Sequence, residues 1–169
     1  MLKNGVLNPD GSFATYKKVE SSTQLTKMLM NRIKQVDNRT YFKVNEQLSL
    51  SSQDIEELLK VKAAFSLVVK ELLEVSKLST FDLKTIYLAG SLGLHTAPLD
   101  LEGLGFLPTG MHKRVKAVGN SSLRGAALLL QNKQARQAAL DWTFHTTVLS
   151  LVDSDKFMDQ YLDEMVFNW

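Results

Sequence analysis

Two strand-to-helix turns and one lysine are the places in this chain where residue type and spacing could do chemistry. The first turn is Ile86-Tyr87-Leu88-Ala89-Gly90-Ser91-Leu92-Gly93. Glycines at the carboxyl end of an apolar strand let a ligand approach the backbone closely. Amides there can point at phosphate or ribose, and open α/β sheets bind ligands at this edge. The competing reading is a purely structural turn. The second is Gly119-Asn120-Ser121-Ser122, where the first amides of the next helix could hold an anion or simply be satisfied by an N-cap. Lys62 lies inside a largely apolar helical stretch. A charge there is costly unless it is paired or reaches solvent, so Lys62 either touches a ligand or snorkels outward. Gly90, Ser91, Gly93, Lys62 and Asn120 are therefore the candidate nucleotide-binding residues.

No residue stands out as a catalytic nucleophile or base. The sequence has no Walker-type lysine loop, no Gly-x-Ser-x-Gly elbow and no His-Glu-x-x-His pair. His95, His112 and His145 show no metal-ligand spacing, and no metal site is expected. The absence of cysteine excludes disulfides, a cysteine zinc site and a cysteine-held iron–sulfur cluster within these residues. A net charge of +2 without a run of like charges gives no footprint for nucleic acid. No apolar run is long enough to span a bilayer, and no signal pattern opens the chain, so a cytoplasmic protein without membrane contact is expected.

The elements that must position these residues follow from patterning. Met1 to Gly5 reads as the tail of a helix, which leads us to expect a longer polypeptide upstream. Asn8-Pro9-Asp10-Gly11 is a turn. The spacing of Leu25, Met28, Leu29 and Ile33 predicts a helix over 24–36, and Tyr41–Val44 with Gln47–Leu50 a short hairpin. Ser51, answered by Asp54, caps a long helix over 52–77, apolar almost all round from Val61 to Val75 and hence expected to be buried between layers. Strands are predicted over 84–89, 114–118 and 147–151. Helices are predicted from Pro98 to Gly103 or Gly105, from a cap at Ser121 or Ser122 to about Gln131, through Ala135–Trp142, and from Asp153-Ser154 onward. Strands alternating with helices make this an α/β lobe.

With these segments in order, a family resemblance emerges. Tyr87-Leu88-Ala89-Gly90-Ser91-Leu92-Gly93 resembles the second nucleotide motif of the sugar kinase, heat-shock protein and actin superfamily. Gln53-Asp54-Ile55, Lys62 and Ala64 resemble the long helix of the reductive activators of corrinoid enzymes. Gly105-Phe106-Leu107-Pro108 and Val118–Ala126 resemble later stretches of the same domain, and Gly5–Phe13 an interior segment. The likeness covers nearly the whole chain. Ser91 stands where the family's turn has a second glycine, and Glu56 and Leu59 stand where the resemblance leads to a basic residue and a glutamine.

The resemblance implies an actin-like, ribonuclease H-like ATPase lobe: a mixed sheet with helices packed on it, residues 1–169 forming the second lobe of an ASKHA-type domain. It implies ATP with magnesium in the complete domain, and an iron–sulfur cluster carried only by a separate N-terminal domain. The implied activity is ATP-dependent return of a Co(II) corrinoid protein to Co(I). The implied partners are the first ATPase lobe and a corrinoid protein or methyltransferase. Alone, the chain is expected to have no ATPase activity and to self-associate through the face around Gly90–Thr96 and the helix after Asn120. Two alternatives stand beside this: a non-catalytic interaction module of the same fold, and the matching lobe of a 2-hydroxyacyl-CoA dehydratase activator or a carbohydrate kinase.

Overall fold

The N-terminal residues fold as a 3-10 turn, Leu2–Asn4, closed by Gly5 in the left-handed conformation (φ 64°). In the computed structural model, residues 1–15, 23–151 and 156–169 are described. The Asn8–Gly11 turn forms as expected: Asn8 N–H donates to the Ser12 carbonyl, and Leu7 bridges Phe13.

Helix α1 (Gln24–Met30) begins at Thr23, whose side chain accepts from Thr26 N–H, and it stops well before residue 36. Residues expected to continue it instead form strand β1 (Ile33–Val36), paired antiparallel with β2 (Arg39–Lys43). The reason is the two-residue loop Asp37-Asn38, with φ of 48° and 64°. Positive φ at both positions is the primed hairpin geometry that matches strand twist. The predicted hairpin around Asn45 also forms: β3 (Ser49–Ser51) pairs with β2 through Phe42↔Leu50, completing a three-stranded antiparallel sheet. Phe42 from this sheet packs with Val6, Ala14 and Met30 in one apolar core.

Helix α2 (Ser52–Val75) opens on a reciprocal cap. Ser51 Oγ accepts from Asp54 N–H (3.1 Å), and Asp54 Oδ2 accepts from Ser51 N–H (2.8 Å). Ile55 and Leu59 join Leu7 and Phe167 in a second core. The expectation that the helix is covered on all sides is corrected here. Ile55, Leu59, Lys62, Ala63, Ser66 and Leu67 are buried, whereas Val61, Val68, Leu72 and Val75 are exposed. An apolar residue is buried only where a second layer covers it, and among the described residues that side meets only the Phe106 ring, which stands 5.9 Å from Phe65 and leaves it part-exposed.

Strand β4 (Ile86–Ala89) leads directly into helix α3 (Gly90–His95), so the expected glycine loop is a helix start. Helix α4 (Pro98–Gly103) begins with proline at its first turn, as predicted. Strand β5 (Val115–Gly119) runs parallel to β4. The inner face of this pair, with Ile86, Leu88 and Val115, packs on Leu101, Phe106 and Leu107. The parallel and antiparallel pairings thus sit in two separate sheets rather than one mixed sheet.

Helix α5 (Ser121–Gln131) is capped by Asn120 rather than by Ser121 or Ser122. Helix α6 (Lys133–Thr143) follows, capped by Asn132. Neither contributes a buried residue. The strand expected over 147–151 does not form; these residues have no ladder partner, and Val148 is exposed. Its composition is suited to a sheet, but among the described residues it pairs with neither of the two sheets. The expected start of the last helix at Asp153-Ser154 lies outside the described residues; helix α7 is Phe157–Asp163.

A carboxylate ties α4 to the entry of β5. Glu102 accepts from His112 N–H (2.8 Å) and lies 2.7 Å from His112 Nδ1. The backbone bond from His112, joined by Gly110 N–H and the imidazole, outweighs desolvation and holds its pKa at about 2. A carboxylate with a depressed folded-state pKa stabilises above its unfolded value and loses that contribution as pH falls through the folded one. Glu102→Gln is expected to cost about 1–3 kcal/mol at neutral pH. The gap between wild type and variant should close between about pH 4.3 and the folded value of about 2, measured by thermal melts across that range. A gap independent of pH would show that the carboxylate charge contributes nothing.

Candidate functional site

The site is built at the carboxyl ends of β4 and β5. Ala89 is the register partner of Gly119, so the two glycine-bearing turns of the sequence, at Gly90 and at Gly119-Asn120, lie side by side. Both glycines take positive φ, 82° at Gly90 and 67° at Gly119, a conformation that side chains with a Cβ rarely adopt. Around Gly90 nothing lies within 4 Å of a Cβ position, so the backbone there is open. Ser91 and Asn120 are exposed beside it.

Gly93 has a different task. It is buried, and a Cβ there would meet Leu88 Cβ at 2.7 Å and the Leu88 carbonyl oxygen at 2.9 Å. Its lack of a side chain lets α3 lie flat against β4. The Asn120 side chain is engaged as a cap, with Oδ1 accepting from Leu123 N–H at 2.9 Å. Among the described residues nothing is hydrogen-bonded to its amide NH2 group, and the residue is exposed.

Four of the five candidate residues are therefore together, and Lys62 is not with them. Lys62 is fully buried on α2, and its Nζ donates to the Glu164 carbonyl (3.2 Å) and to Glu164 Oε2 (3.3 Å). Lys70 pairs with the other carboxylate oxygen and stands 5.6 Å from the Trp169 ring centroid. Burial lowers the Lys62 pKa and outweighs the attraction of Glu164, while Lys70 pushes the same way as burial. Neither of the two readings from sequence, ligand contact or escape to solvent, describes this side chain: it is an internal ion pair that clamps the C-terminal segment to α2.

Sequence reasoning missed that cluster, because Lys70, Glu164 and Trp169 carry no spacing that ties them to Lys62. Glu56 and Leu59 likewise belong to the helix itself: Glu56 pairs with Lys60 at 3.0 Å, and Leu59 is core. Among the described residues no group of three or more His, Asp or Glu side chains could hold a metal ion, and no helix is long and apolar enough to cross a membrane.

Residues 1–169 match the family described as the C-terminal domain of RACo, the ASKHA domain. The chain belongs to this family. Its fold agrees: a solved structure of a reductive activator for corrinoid, iron–sulfur protein superposes with a TM-score of 0.77 at 21% identity, over 98% of this chain. The chain spans 26% of the length of that activator. No curated protein matches the sequence. The RACo C-terminal domain therefore has the actin-like ASKHA architecture, and its paired glycine turns lie at the carboxyl edge of a parallel strand pair. The absence of cysteine means that any iron–sulfur cluster belongs to other residues than these.

Proposed function

We propose that residues 1–169 form one lobe of a two-lobed ATP site in a reductive activator, which uses ATP to return a Co(II) corrinoid protein to Co(I). The observation that carries this reading is that Ala89 is the register partner of Gly119, which sets the Gly90 and Gly119-Asn120 turns side by side at one strand edge, in a chain that belongs to the ASKHA family. The open backbone at Gly90 fits close approach of the adenosine. Ser91 and the free amide of Asn120 offer hydrogen bonds to ribose or phosphate. Gly93 acts beneath the site by seating α3. Lys62 is committed to Glu164 and is left out of the nucleotide contacts.

ATP supplies phosphoryl-transfer energy when bound. In-line transfer needs phosphate clamps, a metal and a positioned water. Those groups are assigned to a first lobe facing this edge, and the electrons to a separate cysteine-bearing domain. Magnesium is assigned to that first lobe as well. Exposed Leu123, Leu130, Trp142 and Phe144 on and after α5 support a covering surface from another part of the activator. The corrinoid protein is the partner of the assembled activator.

Gly90→Val tests the site. Positive φ makes a β-branched residue strained, at a cost of about 1–3 kcal/mol, while the open space around Gly90 spares the core. Nucleotide binding by the complete activator should be abolished with a modest fall in Tm. Gly93→Ala should do the reverse, lowering Tm more than affinity, because its Cβ strikes Leu88. If isothermal titration shows unchanged ATP affinity for Gly90→Val, the edge does not contact nucleotide. The interaction-module reading then takes its place.

A further inference from the structure

The outer face of the antiparallel sheet gathers positive charge. Residues 24–44 hold five cations and one acidic residue, a net charge of +4, whereas the whole chain carries +2, so the remainder is net negative. Strand alternation sorts these residues by face. Phe42 is buried, and its register partners Ile33 and Leu50 share the inner side. Lys34 is the partner of Tyr41 and Val36 of Arg39, and Lys43 N–H donates to the Arg32 carbonyl at 2.9 Å. Arg32, Lys34, Arg39 and Lys43 therefore gather around Tyr41 on the outer side.

Like charges set opposite one another, as at Arg32 and Lys43, oppose strand pairing. Two of the four cations are engaged within the sheet's own turns. Arg32 donates to the Val44 carbonyl (3.1 Å), and Lys43 pairs with Glu46 (2.7 Å). Lys34 and Arg39 are exposed, and among the described residues neither has a hydrogen bond or an ion pair.

We propose that this face is the docking surface for an acidic patch of the corrinoid protein. The identity of the partner rests on the activator reading above; the chemistry of the face rests on this sheet alone. A hydrated, charged face needs no cover from the rest of an activator, unlike an apolar one. A permanent cover would strip water from unpaired ammonium and guanidinium groups, and lysine is depleted from such interfaces. A partner that binds and leaves in each cycle is a different case, because matched charge speeds its encounter and orients it. A lone phosphate fits less well, since the cations are spread along two strands. One tyrosine also falls short of the stacking platform that single-stranded nucleic acid uses. The face belongs to the other sheet from the Gly90–Asn120 edge, so it shares no residue with the nucleotide contacts.

Stopped-flow association of the complete activator with a corrinoid iron–sulfur protein in the Co(II) state tests the proposal. Lys34→Glu/Arg39→Glu should slow association about tenfold or more at low salt, and the difference should shrink at high ionic strength. Lys133→Glu/Arg136→Glu makes the same charge change on α6 and should keep the rate near the wild-type value. Circular dichroism melts should show both variants folded, since all four side chains are exposed. Association unchanged by the Lys34/Arg39 reversal, or slowed equally by the α6 variant, overturns the proposal. So does a fall in Tm of the complete activator with association intact, which means that its own chain covers the face. A reversal that abolishes binding of single-stranded RNA but not of the corrinoid protein makes the face a nucleic-acid surface and also overturns it. These results leave the activator reading standing. A wild-type activator that fails to associate with the corrinoid protein at any salt removes that reading, and this proposal with it.

Discussion

Replacing Glu164 with leucine is expected to destabilise the chain by about 3–5 kcal/mol, because it strands the Lys62 ammonium in the interior. Lys62 is fully buried, and among the described residues the Glu164 carboxylate is the only opposing charge bonded to it. The double variant Lys62→Met/Glu164→Leu should recover most of the loss, since an apolar pair of similar volume removes both the charge and its need for a partner. Urea denaturation at neutral pH measures both. The pH dependence has a definite sign. Burial sets the folded-state pKa of Lys62 below its ordinary value of 10.5, so between those values the unfolded chain binds more protons and stability rises with pH. Without Glu164 the folded value falls further and that window widens. The penalty of Glu164→Leu should therefore shrink as pH rises toward 10.5. A penalty constant with pH, or a double variant no better than the single, would mean that packing rather than charge holds the C-terminal segment.

Gly105→Ala has the second large effect. Gly105 takes φ of 82°, and a Cβ there would lie 2.7 Å from the Asn168 carbonyl carbon and closer still to its oxygen. Backbone strain and a clash against main chain combine to about 3–5 kcal/mol. The displaced element is the segment after α7, where Phe167 N–H donates to the Pro9 carbonyl at 2.7 Å and the Phe167 side chain joins Leu7, Ile55 and Leu59. Loss should appear as increased solvent quenching of Trp169 in a Trp142→Phe background. Gly103→Ala is the control: no atom lies within 4 Å of its Cβ position, and it is the last residue of a helix, so it should be neutral to slightly stabilising. Equal losses at both positions would remove the clash as the cause.

Both effects join parts of the chain that no local pattern connects, and this is where sequence reading stopped. Helix α2 was legible because its signals are local: the Ser51–Asp54 cap and an apolar period. The same period could not tell a buried face from an exposed one, since both stripes of α2 are apolar. Strand β1 was hidden because Asp37-Asn38 makes the hairpin without glycine, and the apolar spacing of residues 25–33 extended the helix reading over it. Residues 147–151 have strand composition but pair with neither sheet among the described residues, and pairing is decided by the whole fold rather than by local composition. At the site, glycine turns after two predicted strands were enough to propose a ligand edge. Their adjacency needed the parallel register of β4 and β5. The family resemblance carried the fold further than either, because it integrates many weak positions across the chain.

The central claim is that the Gly90 and Asn120 turns form one wall of a nucleotide cleft closed by another lobe. Amide hydrogen exchange over residues 89–95 and 118–123 tests it most directly, in the chain mixed with the first lobe of a corrinoid reductive activator, with and without ATP and magnesium. The account predicts fast exchange in both turns of the chain alone, and slowed exchange in both together only when lobe and ATP are present. Exchange unchanged by ATP in the mixture, or both turns already protected in the chain by itself, would contradict it.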